Sequence, residues 1–182
     1  MKKIYILLAE GFELIEALAP YDVFCRGGIN VKSVSTTGDK TVSASNGVKV
    51  LSDQLISQTD FSDADVIYLP GGYPGYTNLA KNSEVGKIVK NQYESGKFVA
   101  AICGAPTVLK ANRLAIGKTV TAHSSCAAEM KTEYNYTGKN IERDLNLLTA
   151  IGAGHSVNFA IEIAKIVAGD QAVEKIKKGM EL

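Results

Sequence analysis

The sequence predicts an α/β protein: a single doubly wound domain, with a mostly parallel sheet and helices on both of its faces. Short apolar runs alternate along the chain with segments of helical periodicity, which is the pattern of a parallel sheet covered on both sides. The length of 182 residues and the 46% hydrophobic content suit one domain with a substantial core. We therefore treat residues 1–182 as one domain.

The strands are predicted from compact apolar runs, and the helices from apolar residues three or four positions apart. The expected strands are residues 4–9, 31–35, 41–44, 48–51, 66–69, 98–102, 120–122, 141–143 and 146–150. The expected helices are residues 14–24, 83–94, 105–111, 156–167 and 171–178. Asn46 and Gly47 separate the third and fourth strands and are typical of a two-residue hairpin turn.

Composition argues against several classes of function. Lys and Arg number 20 against 19 Asp and Glu, a net charge of +1, so neither a nucleic-acid nor a membrane-surface partner is indicated. The first apolar run stops at Glu10, too early for a secretory signal, and no run approaches the ~20 residues of a membrane span. Three cysteines are too few and too irregular for a disulfide framework or a zinc site. We expect a protein of the reducing cytoplasm.

Cys103 is the strongest candidate for chemistry. The small apolar strand at 98–102 stops at this residue, and Pro106 suits the first turn of a following helix. Such a strand-to-helix turn projects the side chain above the carboxyl edge of the sheet, at the positive end of a helix. Both effects predict a nucleophile elbow and a thiol pKa below the ~8.5 of a free cysteine. The segment is equally compatible with a cysteine that is simply a small buried hydrophobic residue.

Gly71 and Gly72 directly follow the strand at 66–69. Successive glycines let backbone N–H groups point into a crevice and bind an anion or oxyanion, although a double glycine is also simply a tight turn. The carboxyl end of a strand favours the binding role, since ligands collect at that edge of a parallel sheet.

Glu16 is a candidate buried acid. It lies among apolar residues that should be packed, whereas Glu10 and Glu13 are expected to be solvated at the helix start, where the helix dipole stabilises them. Burial would raise the pKa of Glu16 and let it donate a hydrogen bond to a sulfur or accept a proton. Pro20 cannot donate to the Glu16 carbonyl, which predicts a kink in this helix.

His123 follows the strand at 120–122 and could exchange a proton with Cys103 or with a substrate at the carboxyl edge. His155 is expected to be a solvated or packed histidine without a role. Two separate histidines do not indicate a transition-metal site. Cys25 and Cys126 are expected to be structural, although Cys126 lies close enough to His123 for a redox role.

Five segments, in order and at matching separations, resemble the ThiJ/PfpI superfamily, especially the branch of the parkinsonism-associated protein deglycase. They are residues 10–16 (EGFELIE), 69–72 (LPGG), 101–106 (AICGAP), 120–123 (VTAH) and 152–156 (GAGHS). The resemblance spans essentially the whole chain and implies a flavodoxin-like fold of the class I glutamine amidotransferase type. It also implies site roles: an oxidisable nucleophile at Cys103, a hydrogen-bonding carboxyl at Glu16, backbone donors at Gly71, Gly72 and Gly104, and a nearby histidine at His123.

Several positions depart from the superfamily pattern. Gly104 stands where the intracellular-protease branch has a histidine directly after its cysteine, so proteolysis is disfavoured. Ala153 stands where the deglycase branch often has proline. Asn46 matches an arginine common near the dimer interface, although Arg26 is retained, so an interfacial anion site is not predicted.

The resemblance implies glyoxalase III-type or protein-deglycase activity on α-oxoaldehydes such as methylglyoxal, without a cofactor or a metal. The Cys103 thiolate would add to the aldehyde, glycine N–H groups would hold its oxygen, and Glu16 with His123 would move the proton between carbons. Two alternatives stay open: a redox-responsive protein whose Cys103 is oxidised without substrate turnover, and a chaperone. Superfamily members are commonly homodimers, and we expect a homodimer here.

Overall fold

The computed structural model describes residues 2–182 and forms a main sheet of seven strands within them. In spatial order they are Ile141–Asp144 (β10), Leu147–Ala150 (β11), Phe98–Ile102 (β7), Val66–Leu69 (β6), Lys3–Leu8 (β1), Asn30–Ser35 (β2) and Gln54–Leu55 (β5). Every neighbouring pair is parallel except β10 with β11, which is antiparallel. The predicted doubly wound, mostly parallel sheet is confirmed.

Two small sheets lie outside the main one. Thr41–Ser43 (β3) and Lys49–Leu51 (β4) form the predicted antiparallel hairpin. Its turn has three residues and not the predicted two, because the Ala44 N–H donates to the Val48 carbonyl across residues 45–47. Gly47 has a φ of +87°, which glycine adopts without a Cβ clash. Thr119–Val120 (β8) pairs with Asn135–Tyr136 (β9). The strand predicted at 120–122 therefore lies beside the main sheet, and His123 does not follow one of its strands.

The helices are Leu14–Arg26 (α1), Gly75–Lys81 (α2), Ser83–Glu94 (α3), Pro106–Ala111 (α4), Ala127–Met130 (α5), Ser156–Ala168 (α6) and Asp170–Met180 (α7). The five predicted helices are present, with bounds within about two residues, and α1 runs through Pro20. Helices α2 and α5 were not predicted. Among residues 2–182, none of these helices has the length and apolar character needed to cross a membrane.

The core lies on both faces of the sheet, as β1 shows most clearly. Ile4, Ile6 and Leu8 are buried against the layer of α1, α6 and α7. Tyr5 and Leu7 point to the opposite layer, which α2, α3 and α4 cover. Each fully buried aliphatic side chain contributes about 1.5–3 kcal/mol. A strand buried on both faces must be apolar at every position, which explains the uninterrupted apolar run in the sequence.

Candidate active site

Cys103 lies between β7 and α4 in a left-handed backbone conformation, with φ of 64°. For a residue with a Cβ atom this conformation costs roughly 1–3 kcal/mol, and it persists only where the surroundings impose it. Two backbone hydrogen bonds do so here. The Cys103 N–H donates to the Ala150 carbonyl at 2.9 Å, and the Cys103 carbonyl accepts from the His123 N–H at 2.8 Å. The strand, turn and helix form the predicted elbow.

Gly71 joins the elbow to Glu16. Its N–H donates to Glu16 Oε2 at 2.8 Å, and a Cβ atom at this position would lie 2.7 Å from both Cys103 Cβ and Glu16 Oε2. The close approach therefore requires glycine. The prediction that Gly71 is an oxyanion donor is wrong, because its N–H is already directed to the buried carboxyl. Backbone hydrogen bonds from Gly104 and Gly72 instead lower the pKa of the Cys103 thiol.

Glu16 is fully buried, with 0% of its surface exposed. It sits in the first turn of α1, where its N–H donates to Glu13 Oε2 at 2.7 Å, so Glu13 caps the helix. Burial raises the pKa of the Glu16 carboxyl from 4.5 to about 7, in the predicted direction. Its Oε1 atom has no hydrogen-bond partner among the described residues. A buried carboxylate oxygen without a donor favours the protonated acid.

The Cys103 thiol responds to the same burial. Desolvation raises its pKa to about 12, and the negative charge of an ionised Glu16 is the next cause. The predicted lowering of the thiol pKa is therefore wrong beside an ionised Glu16, since desolvation outweighs the two N–H donors. That second cause disappears when Glu16 holds a proton, which it can donate to the sulfur. The two groups therefore titrate as a coupled pair that shares one proton once the first has been lost.

The elbow opens into a cleft of about 190 Å³. The lining residues are Gly72, Tyr73, Tyr76, Cys103, Gly104, His123, Ser125 and Cys126. Within residues 2–182, no cluster of three or more His, Cys, Asp or Glu side chains could hold a metal ion.

His123 reaches the cleft from the loop after β8. Its Nδ1 accepts from the Ser125 N–H at 3.2 Å and lies 2.8 Å from Ser125 Oγ. Because Nδ1 accepts the backbone donor, the neutral ring carries its proton on Nε2. The structure thus brings Cys103, Glu16, Gly72, Gly104 and His123 together.

Other candidates lie elsewhere or serve the fold. His155 is half-buried at the start of α6 and does not line the cleft. Cys25 is exposed near the end of α1. Arg26 donates to the Gly179 carbonyl at 2.6 Å and so ties α1 to α7.

Tyr76 is the main site residue that the sequence analysis missed. A Cβ atom at position 104 would lie 2.4 Å from Tyr76 Cδ1, so the Tyr76 ring occupies the space beside Gly104 that a side chain at that position would need. Tyr76 comes from α2, a short helix with too few apolar residues to show periodicity. The sequence feature that could have identified Tyr76 is its position, with Tyr73, directly after the Gly71–Gly72 turn at the carboxyl edge of the sheet.

A doubly wound sheet that carries a cysteine in a left-handed conformation beside a buried carboxyl defines a class of α/β proteins with a cysteine at a strand-to-helix elbow. The model of the DJ-1/PfpI family matches residues 2–166. The chain belongs to the DJ-1/PfpI family, as the five sequence segments predicted.

Similar proteins support this assignment over nearly the whole chain. Protein dj-1beta of Drosophila melanogaster is 35% identical over 180 residues, which cover 98% of this chain and 96% of that protein. The crystal structure of Drosophila DJ-1beta has a TM-score of 0.96 and covers 100% of this chain and 98% of its own. The glutathione-independent glyoxalase DJR-1.2 of Caenorhabditis elegans is 30% identical over 175 residues, 95% of this chain and 92% of that protein.

Proposed function

We propose that this chain is a cofactor-independent enzyme that converts α-oxoaldehydes such as methylglyoxal into 2-hydroxy acids. The observation that carries the proposal is the Cys103–Glu16 pair, a nucleophile and a proton carrier that face each other at the base of a small cleft. The name of the C. elegans relative, a glutathione-independent glyoxalase, supports the same chemistry. Free cysteines suit a reducing cytoplasm, where we place the protein.

The first step forms a covalent bond. With the shared proton on Glu16, the Cys103 thiolate attacks the aldehyde carbon, and the carbonyl oxygen takes the proton from Glu16, which gives a hemithioacetal. The N–H groups of Gly72 and Gly104, whose backbone hydrogen bonds lower the pKa of the thiol, are the donors that we assign to the oxygen on the adjoining carbon as its charge develops.

The remaining steps move one proton and add water. Glu16, now a carboxylate, removes the proton of the former aldehyde carbon while the ketone oxygen gains a proton, which gives an enediol. Glu16 then returns its proton to the neighbouring carbon, and the hydroxyl on the sulfur-bearing carbon loses its proton, which gives a thioester of lactate on Cys103. His123 relays protons to the oxygens from the open side of the cleft. Water then cleaves the carbon–sulfur bond, which releases lactate and restores the thiol. The sum is methylglyoxal plus water to lactic acid. With a hemiaminal of a protein amine, the thiolate would form the same hemithioacetal as the carbon–nitrogen bond breaks, and the amine would leave with the proton from Glu16.

The test is lactate formation from methylglyoxal by the wild type and by Cys103→Ala. We expect at least a ~10³-fold loss in Cys103→Ala, because removal of a nucleophile removes the covalent route. The matched control is Cys25→Ala, which replaces an exposed cysteine away from the cleft and should change the rate less than two-fold. Equal lactate formation by wild type and Cys103→Ala would refute the proposal.

A redox-responsive role is the second candidate, and the two N–H donors at the sulfur favour it because they would also bind the oxygens of a sulfinate. Two molecules of peroxide would oxidise the thiolate to sulfinate and leave as water. This role predicts a gain of two oxygens at Cys103 alone, measured by mass spectrometry, and slower oxidation in Glu16→Leu. It replaces the first candidate if this oxidation occurs and no carbonyl substrate is turned over.

We also propose that the protein is a homodimer. Ile15 and Leu18 on α1, and Val48 and Leu51 on the β3–β4 hairpin, are exposed apolar residues. The hairpin lies against the start of α1, since the Gly11 N–H donates to the Ser43 carbonyl at 2.8 Å. Sedimentation at micromolar concentration should give twice the chain mass, and a monomeric mass would exclude the dimer.

A further inference from the structure

We propose that Tyr73 and Tyr76 form an aromatic wall that makes the Cys103 cleft select neutral arylglyoxals, such as phenylglyoxal, over alkyl or acidic oxoaldehydes. This inference rests on the proposed α-oxoaldehyde chemistry and specifies its substrate class. It starts from two tyrosines that the catalytic steps above do not use.

The two rings stand side by side at the cleft. Their centroids lie 6.1 Å apart with planes tilted by 57°, within the range in which aromatic rings attract one another. Both residues line the cleft, and Tyr73 is 73% exposed. A large aromatic side chain exposed beside a nucleophile leaves ring surface free for the ring of a bound substrate.

Tyr76 is the fixed part of the wall. Its N–H donates to the Gly72 carbonyl at 2.9 Å. A Cβ atom at Gly104 would lie 2.4, 2.5 and 2.8 Å from three of its ring atoms, so the ring packs directly on the backbone next to the nucleophile. A substituent on the second carbon of a substrate bonded to Cys103 would therefore leave the cleft along the two tyrosines.

The charge of the cleft disfavours acidic substrates. Among residues 2–182, those that line the cleft include neither lysine nor arginine. The Cys103–Glu16 pair carries a negative charge once it has lost one of its two protons. A carboxylate substituent would meet this charge without a cation to pair with, whereas a neutral aryl group would meet two rings.

The first test compares kcat/KM for phenylglyoxal, methylglyoxal and 4,5-dioxopentanoate, an α-oxoaldehyde that carries a carboxylate. We expect the wild type to prefer phenylglyoxal and to use 4,5-dioxopentanoate least. In Tyr73→Ala the phenyl-to-methyl ratio should fall about 3- to 10-fold, the range of one aromatic contact. Tyr73→Phe should keep the ratio. Leu145→Ala is the matched control, because Leu145 is 68% exposed in the β10–β11 turn and should leave the ratio unchanged.

The second test needs no turnover. Phenacyl bromide and bromoacetone alkylate Cys103 when the thiolate displaces bromide, and each rate is divided by the rate with a free thiol. We expect a corrected preference for phenacyl bromide that falls about 3- to 10-fold in Tyr73→Ala. If the phenyl-to-methyl ratio is the same in wild type and Tyr73→Ala in both tests, the aromatic wall is refuted. This conclusion holds even if the protein converts methylglyoxal to lactate. An aryl preference in alkylation without lactate formation would support the wall and refute the proposed function.

Discussion

At the amino edge of the main sheet, a cleft of about 400 Å³ is lined by residues that precede β6 and β7, among them Asp60 and Lys97. Nearby, Asp63 forms a 2.7 Å ion pair with Lys3, and the hydrogen bond from Lys3 lowers the pKa of Asp63. At the carboxyl edge, the cleft has about half that volume, and burial raises the pKa of Glu16 to about 7. The Asp63 carboxyl at the amino edge is therefore stabilised as an anion. The Glu16 carboxyl at the opposite edge instead gains or loses its proton near neutral pH. We place the proposed reaction at the carboxyl edge because of this difference in pKa, although its cleft is the smaller of the two.

Between the two edges of the sheet, the largest expected effect comes from removing the buried acid Glu16. In Glu16→Leu the sulfur keeps its burial and its two N–H donors but loses the proton donor that permits a thiolate. We expect the midpoint of Cys103 alkylation to move from about pH 7, where the Glu16 carboxyl of the pair loses its proton, to above pH ~8.5, the value of a free cysteine. Methylglyoxal turnover should fall about 10²- to 10³-fold, as is typical when a general acid–base group is lost. Alkylation rates measured from pH 5 to 10 give the midpoint.

Asp63→Asn is the control from the other edge. Asp63 is exposed and paired with Lys3, so its removal should leave both the alkylation midpoint and the turnover unchanged. An alkylation midpoint that is the same in Glu16→Leu and wild type would show that Cys103 and Glu16 do not share a proton. The difference between the two edges would then not explain the reactivity of Cys103.

The same buried acid should also make stability depend on pH. The pKa of Glu16 is raised from 4.5 to about 7 in the folded state, so the folded protein binds the proton more tightly than the unfolded chain. The stabilisation is complete below pH 4.5 and is lost as pH rises to about 7, by about 3 kcal/mol in total. Urea unfolding of wild type and Glu16→Gln at pH 4 and pH 8 measures it. We expect the free energy of unfolding of the variant, relative to wild type, to be higher at pH 8 than at pH 4 by this amount.

Asp63 has the opposite sign. Its pKa is lowered in the folded state, so any stabilisation exists above its ordinary pKa and is lost as pH falls below it. Because Asp63 is largely exposed, solvent screens its pair with Lys3, and Asp63→Asn should not alter the change between pH 4 and pH 8. A parallel pH dependence of wild type and Glu16→Gln would show that Glu16 is ionised without cost in the fold.

Most of the fold could be predicted because the sheet is buried on both faces. Strands such as β1 are then apolar at every buried position, here from Ile4 onward, and the helices between them keep clear periodicity. β5 escaped prediction because Gln54–Leu55 is only two residues long. Its place depends on a distant contact, in which Asp53 Oδ2 accepts from the Ser33 N–H at 2.8 Å. Helix α2 also escaped prediction, because it is short and its place depends on packing against α3 and α4.

The positions of the site residues could be predicted where neighbouring residues in the sequence set them. The hydrogen-bond donors and the thiol pKa could not, because they depend on groups that are distant in the sequence. Cys103 ends a strand and Glu16 lies in an apolar stretch, and both facts are visible in the sequence. Which N–H groups face the sulfur depends on where the Glu16 carboxyl lies, since Gly71 donates to it. The thiol pKa could not be predicted from the helix end alone, because burial of the pair outweighs the local donors.

The smallest expected effect separates the two proton carriers at the carboxyl edge. His123 is exposed and receives its orientation from Ser125, so water can replace it as a relay, whereas nothing from solvent reaches Glu16. We expect His123→Gln to lower kcat for methylglyoxal about 10-fold, below the usual range for an essential acid or base. His155→Gln, a change of the other histidine outside the cleft, should stay within two-fold of wild type. A fall in kcat for His123→Gln as large as that for Glu16→Leu would show that His123 carries the proton between the two substrate carbons. Burial would then not identify the residue that carries this proton.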